Sequence, residues 1–220
     1  MVHEHIKLSD ANATWLLPMV AVIVASATGT LVGGSLNDPD RALWTIIASY
    51  ILLGIGFLLA MIILVLYFAR LIIHGLPPRT AIVSSLITLG PLGSGSFAFM
   101  QAGIVARRVF KQTHTLPVVA GGGAGDVLYV AGWMIALLIW GFSVLWLFFA
   151  IAGMGRRGLT FNMSWWGFTF PLGVFTSATN LLGAETPSRF FKVLSTVSIA
   201  RAISVRLSGR PVVINILALN

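Results

Sequence analysis

The chain reads as an all-α integral membrane protein with five transmembrane helices, and three observations carry that reading. Of its 220 residues 57% are hydrophobic and only 9% are charged, against about 25% charged in a soluble domain. Five stretches, 11–37, 42–69, 80–106, 127–155 and 158–184, contain no Asp, Glu, Lys or Arg. They are 27, 28, 27, 29 and 27 residues long. A helix rising about 1.5 Å per residue needs roughly 20 residues to cross a hydrocarbon core about 30 Å thick. Each stretch is long enough to span once, and none is long enough to span twice.

The same composition excludes other classes. Disorder, a coiled coil and an ordinary soluble enzyme all need more charge than this. The net charge is +8, but the fourteen Lys and Arg are scattered in ones, twos and threes. A nucleic-acid surface needs them clustered on one face, so no nucleic-acid partner is expected. Cysteine is absent, which removes disulfides and thiolate metal sites. His3, His5, His74 and His114 fall in the tail or the connections. With no Ser/His pair, no carboxylate dyad and no His-Glu-x-x-His in the spans, neither catalysis nor a cofactor or metal is expected. The lack of buried Asp, Glu or His also disfavours a proton relay.

Taken in order, residues 1–14 form a cytoplasmic N-terminal segment. Glu4, Lys7 and Asp10 make it too charged for a secretory signal. The membrane domain covers 15–184, with spans at about 15–35, 43–69, 80–106, 127–155 and 164–184. The connections Asp38–Arg41, Arg70–Arg79, Arg107–Asp126 and Arg156–Arg157 are short. The third carries Gly121-Gly122-Gly123-Ala124-Gly125, which lacks the Lys-Ser/Thr of a phosphate loop. Arg107, Arg108 and Lys111 at a span end could concentrate anions, although solvated loop positions read the same way.

Odd and even spans differ. The first holds Pro18, Ser26, Thr28, Gly29, Thr30, Gly33 and Gly34; the third holds Ser84, Ser85, Thr88 and the run Gly90 to Ser96. The fifth holds Thr169, Pro171, Gly173, Thr176, Ser177 and Thr179. The second and fourth have no Pro, and only Thr45, Ser49 and Ser143 as aliphatic hydroxyls. Proline and glycine free backbone groups, and these are tolerated at membrane depth only under protein or beside water. Kinked odd helices are therefore expected inside, with straight, bulky even helices outside. A neutral conduit of hydroxyls and amides suits an anion better than a metal cation.

Particular strings then resemble a known family. "WWGFTFPLGVFTSAT" (Trp165–Thr179) resembles the ninth helix of the tellurite-resistance/dicarboxylate transporter superfamily. "WLLPMVAVIVASATGTLV" (Trp15–Val32), "LPPR" (Leu76–Arg79), "LGPLGSGSFAFMQ" (Leu89–Gln101) and "AGDVLYVAGWMIALLIWGFSVLWLFFA" (Ala124–Ala150) are similar to its sulfite efflux branch. Ser94 departs from it, since a larger polar residue is expected there. The resemblance implies a ten-helix plan with five kinked inner helices around a pore, of which these spans are helices five to nine. It also implies a plasma-membrane location and, by likeness to bacterial members, a homotrimer.

By the same resemblance, Phe170 beside Pro171 is the expected gate, with Phe168 as second choice. Thr169, Thr176, Ser177, Thr88, Ser94 and Ser96 are the expected pore hydroxyls. Sulfite efflux is the implied function, and C4-dicarboxylate (malate) transport is the alternative. Residues 185–220 do not continue the family pattern, because Arg201, Arg206 and Arg210 interrupt the expected tenth helix. They read as an altered C-terminus of a truncated product, or as an interfacial sixth helix. A chain with three inner helices is expected to close no pore and export no sulfite alone, leaving a non-transporting fragment as the further alternative. Every odd span is expected to start on the cytoplasmic side. Both sequons, at Asn12 and Asn162, should then stay unmodified in a eukaryotic host, and a glycan on either asparagine would reverse the orientation.

Overall fold

The computed structural model describes residues 11–76, 82–116, 123–157, 169–186, 188–191, 193–194 and 196. They fold as α1 (Leu17–Ser35), α2 (Pro39–His74), α3 (Leu89–Thr113), α4 (Ala124–Arg157) and α5 (Thr169–Glu185). Short 3-10 segments, Ala13–Leu16 and Ile82–Thr88, lead straight into α1 and α3. The described residues contain no strand. Much of the expected C-terminal segment, 197–220, lies outside them, as do Asn162 and Phe168.

Local chemistry sets the boundaries. Asn12 opens the first 3-10 turn by accepting from the Thr14 amide. Asp38 caps α2 through the Asp40 amide, with Pro39 as its first residue, where proline's missing N–H costs nothing. α2 stops at Gly75, which takes φ 72°. α3 stops at His114, at φ 51°.

Among the described residues, three helical segments are long and apolar enough to cross a membrane: Ala13–Ser35, Pro39–His74 and Ala124–Gly155. At 36 residues, α2 is about 54 Å long and overreaches a hydrocarbon core of about 30 Å. The other two expected spans differ for separate reasons. α3 is rich in Gly and Ser and carries Arg107, Arg108 and Lys111 near its end, and the described part of α5 is 17 residues.

The prolines sit near the starts of the described α-helical segments. Pro18, Pro91 and Pro171 occupy the second or third residue of α1, α3 and α5. For Pro18 and Pro91 the residues just before are wound as 3-10 helix, and the missing proline N–H falls where the winding changes. The irregularity of the first and third spans is thus a change from 3-10 to α winding.

α3 is the centre. It packs against each of the other four helices, and nearly its whole length from Leu89 to Ala106 is buried. Small residues allow this. A Cβ on Gly93 would stand 2.8 Å from the Phe175 amide nitrogen of α5. One on Gly132 of α4 would stand 2.7 Å from the Phe99 carbonyl oxygen, and one on Gly103 2.9 Å from that of Leu128. The main chains of α3, α4 and α5 therefore touch directly, as helices in membranes do where side chains are small.

Replacing Gly93 by Ala should push α5 off α3 and cost about 1–3 kcal/mol, read as thermal stability in detergent. Gly141, where an added methyl would meet nothing within 4 Å, is the control. Gly141→Ala should be neutral or stabilising, and equal losses at both sites would contradict direct backbone contact.

Candidate functional site

Two exposed surfaces of different chemistry flank the core. On α2 and α4 the outward residues are bulky and apolar: Trp44, Leu58, Val65 and Ile72 on one, Val127, Met134, Leu138 and Phe148 on the other. On α5 the exposed residues recur as Phe170, Gly173, Ser177, Asn180 and Ala184. That spacing of three and four holds one helix face. α1 repeats the spacing with Pro18, Ala21, Ala25, Thr28 and Ser35, flanked by the larger exposed Leu17, Leu31 and Val32.

Phe170 stands at one end of the α5 stripe, 43% exposed. Its ring edge lies 3.8 Å from where a Gly90 Cβ would be, and Val20 of α1 approaches the same point to 3.3 Å. α1, α3 and α5 thus converge on Gly90, where an added methyl would press on Val20 and just touch the ring. Pro171 is buried and Thr169 exposed.

The hydroxyls singled out from sequence divide. Ser177 is on the stripe and Thr176 at its edge, but each donates its proton to its own helix, to the Gly173 and Leu172 carbonyls. Thr88 and Ser94 are buried and donate to Ser85 and Gly90 carbonyls. Ser96 is buried and reaches across to the Ala136 carbonyl of α4 at 2.8 Å. Phe170, Ser177 and Thr176 come together, whereas Ser94 and Ser96 lie inside the helix packing.

Sequence reasoning misses what holds α5 in place. Bulky α4 is expected to turn its tryptophans to lipid, yet Trp146 is buried against Tyr67, and other α4 aromatics aim at α5. Tyr129 donates to Glu185 at 2.7 Å, Trp133 to the Thr186 hydroxyl at 3.0 Å, and Trp140 to the Thr179 hydroxyl at 2.8 Å. The Trp140 ring also stacks on Phe175 at 6.0 Å and 13°. The signal is present as i, i+4 and i+11 aromatics on one face of α4. Phe190 and Phe191 close over Trp140 from the C-terminal side.

The cations near the end of α3 have protein partners. Arg107 and Lys111 pair with Asp126 at 2.7 and 3.4 Å, and Arg107 also covers the Tyr129 ring at 4.9 Å. Arg108 donates to the Gly34 carbonyl at the end of α1. Together they tie α1, α3 and α4 at one end of the bundle.

Trp140→Phe should keep the stack but lose the hydrogen bond, and Thr179→Val should lose the same bond from the other side. Each should cost about 1 kcal/mol in detergent, and the double variant should cost little more than either alone. Additive losses would mean that the two side chains act independently.

Residues 1–207 match the family model described as voltage-dependent anion channel. The sulfite efflux pump of Arthroderma benhamiae is 50% identical over 190 residues, which is 86% of this chain and 50% of that protein. The sulfite efflux pump of Trichophyton rubrum shows the same identity and coverage. An uncharacterized transporter of Methanocaldococcus jannaschii is 31% identical over 183 residues, 81% of this chain and 48% of that protein. The chain spans about half the length of these relatives. No solved structure matches it. With the family match covering nearly all of the sequence, and with helices apolar enough to cross a bilayer, the chain belongs to the voltage-dependent anion channel family.

Proposed function

We propose that the chain forms part of the wall of an anion path and that the ion it carries is sulfite, moving out of the cell. The observation that supports this best is the α5 stripe. Its small and polar residues are exposed in a row, and the row ends at Phe170 leaning over Gly90. A face of Gly, Ser, Asn and Ala is a poor match to lipid tails and a good match to a narrow aqueous lumen. The bulky outward faces of α2 and α4 suit lipid.

In this reading α3 and α5 also cross the membrane, completing five spans as half of the ten-helix plan. α3 needs no apolar surface of its own, because its neighbours sheathe it. Phe170 serves as the gate: an aromatic ring blocks a narrow neutral lumen, and a rotation about its side-chain bonds clears it. A small oxyanion fits better than a dicarboxylate. Two carboxylates call for a fixed cation near the lumen, and Arg107, Arg108 and Lys111 are each engaged elsewhere. The names of the fungal relatives point the same way.

The test is a joined protein, in which this chain replaces the matched half of the Arthroderma benhamiae pump, in cells lacking their own exporter. The joined protein should restore sulfite export, and Phe170→Ala should raise anion flux at equal protein level. A joined protein that reaches the membrane but exports no sulfite would refute the substrate. Unchanged flux in Phe170→Ala would reduce Phe170 to a packing residue.

A further inference from the structure

Asn180 carries the one side-chain amide on the α5 stripe, and no hydrogen-bond partner engages it among the described residues. Its depth follows from its neighbour. Thr179 is hydrogen-bonded to Trp140 at 2.8 Å, and Trp140 lies near the midpoint of the Ala124–Gly155 span. With α5 crossing as proposed, Asn180 is exposed at mid-membrane depth. An amide facing hydrocarbon there loses its hydrogen bonds to water without replacement, so its face must meet water, protein or an ion.

The donor count selects among these. Ser177 and Thr176 spend their protons on α5 carbonyls and so present only oxygen lone pairs, which repel an anion. The Asn180 NH2 group, with two protons, is the donor beyond Ser177, while the exposed Thr169 hydroxyl lies at the Phe170 end of the face. The Trp140–Thr179 bond and the Trp140–Phe175 stack hold the opposite face of α5 and so fix the direction in which Asn180 points. Phe170, ten residues earlier, lies nearly three turns away along the same face.

We infer that Asn180 is an anion-coordinating residue of the lumen, whose side-chain amide donates hydrogen bonds to the oxygens of a small oxyanion on one side of the Phe170 gate. The inference rests on the reading of the α5 stripe as a lumen wall, and it adds a specificity-determining contact to that wall. The competing role is interhelical glue, an amide that bonds a neighbouring helix.

Two measurements separate these. This chain brings no cysteine to the joined protein, so there Asn180→Cys can be probed in cell membranes with a charged, water-soluble thiol reagent, against the unsubstituted joined protein as background. Position 180 should be modified, and Leu138→Cys, at a site 71% exposed on α4, should not. Protection of position 180 would overturn both the inference and the lumen reading. In the joined protein, Asn180→Leu should raise the half-saturating sulfite concentration about tenfold, the size expected for hydrogen bonds to a charged group. Asn180→Gln, which keeps the donor, should stay close to the parent. If position 180 is modified but Asn180→Leu leaves half-saturation unchanged at normal protein level, Asn180 is not a ligand and the lumen wall stands without it.

Discussion

The architecture depends on direct contact between main chains along α3. At Gly93, Gly103 and Gly132 a single methyl group would collide with the backbone of a neighbouring helix. Where side chains are this small, dispersion between backbones replaces the hydrophobic drive that lipid cannot supply. The same closeness explains how so polar a helix can occupy the middle of an apolar chain. α3 is covered by α1, α2, α4 and α5, so its serines and glycines meet protein and not lipid.

Two consequences reach α5. Because α5 is seated on α3 through Gly93, α4 approaches it chiefly through aromatic tips, and Tyr129, Trp133 and Trp140 set its rotation by hydrogen bonds. Most span hydroxyls, exposed or buried, return their protons to carbonyls of the preceding turn. Thr28, Thr30, Ser49 and Thr179 all do so. A hydroxyl in a membrane helix is then an acceptor surface, which changes what a row of Ser and Thr can offer an anion.

The sequence is readable where charge and periodicity act alone. The charge-free windows contain most of each of the five helices, and the contrast between Pro/Gly-rich and bulky segments matches the small exposed faces of α1 and α5 against the large ones of α2 and α4. It is less readable where the answer lies in partners. Ser94 and Ser96 resemble Ser177 by composition, yet Ser96 bonds α4 while Ser177 is exposed. Trp140 looks like a lipid-facing tryptophan until Thr179 is seen beneath its indole. Asn180 is easily passed over because one amide has no pattern of its own; only the exposed stripe around it gives it meaning. Pro18 and Pro91 suggest kinks, because nothing in the sequence announces the 3-10 segments that put them into first turns.

The claim on which the account turns is that the small exposed faces border water and the bulky ones lipid. Cysteine scanning of α1 in the joined protein, in cell membranes with a charged thiol reagent, tests it most directly, since this chain adds no thiol to the background. Modification should peak at Ala21, Ala25, Thr28 and Ser35 and fall at the buried Ile23, Ala27 and Thr30, while Ile55 and Ile62 on α2 stay unmodified despite their exposure. Equal protection of both exposed faces, or equal modification of both, would contradict it.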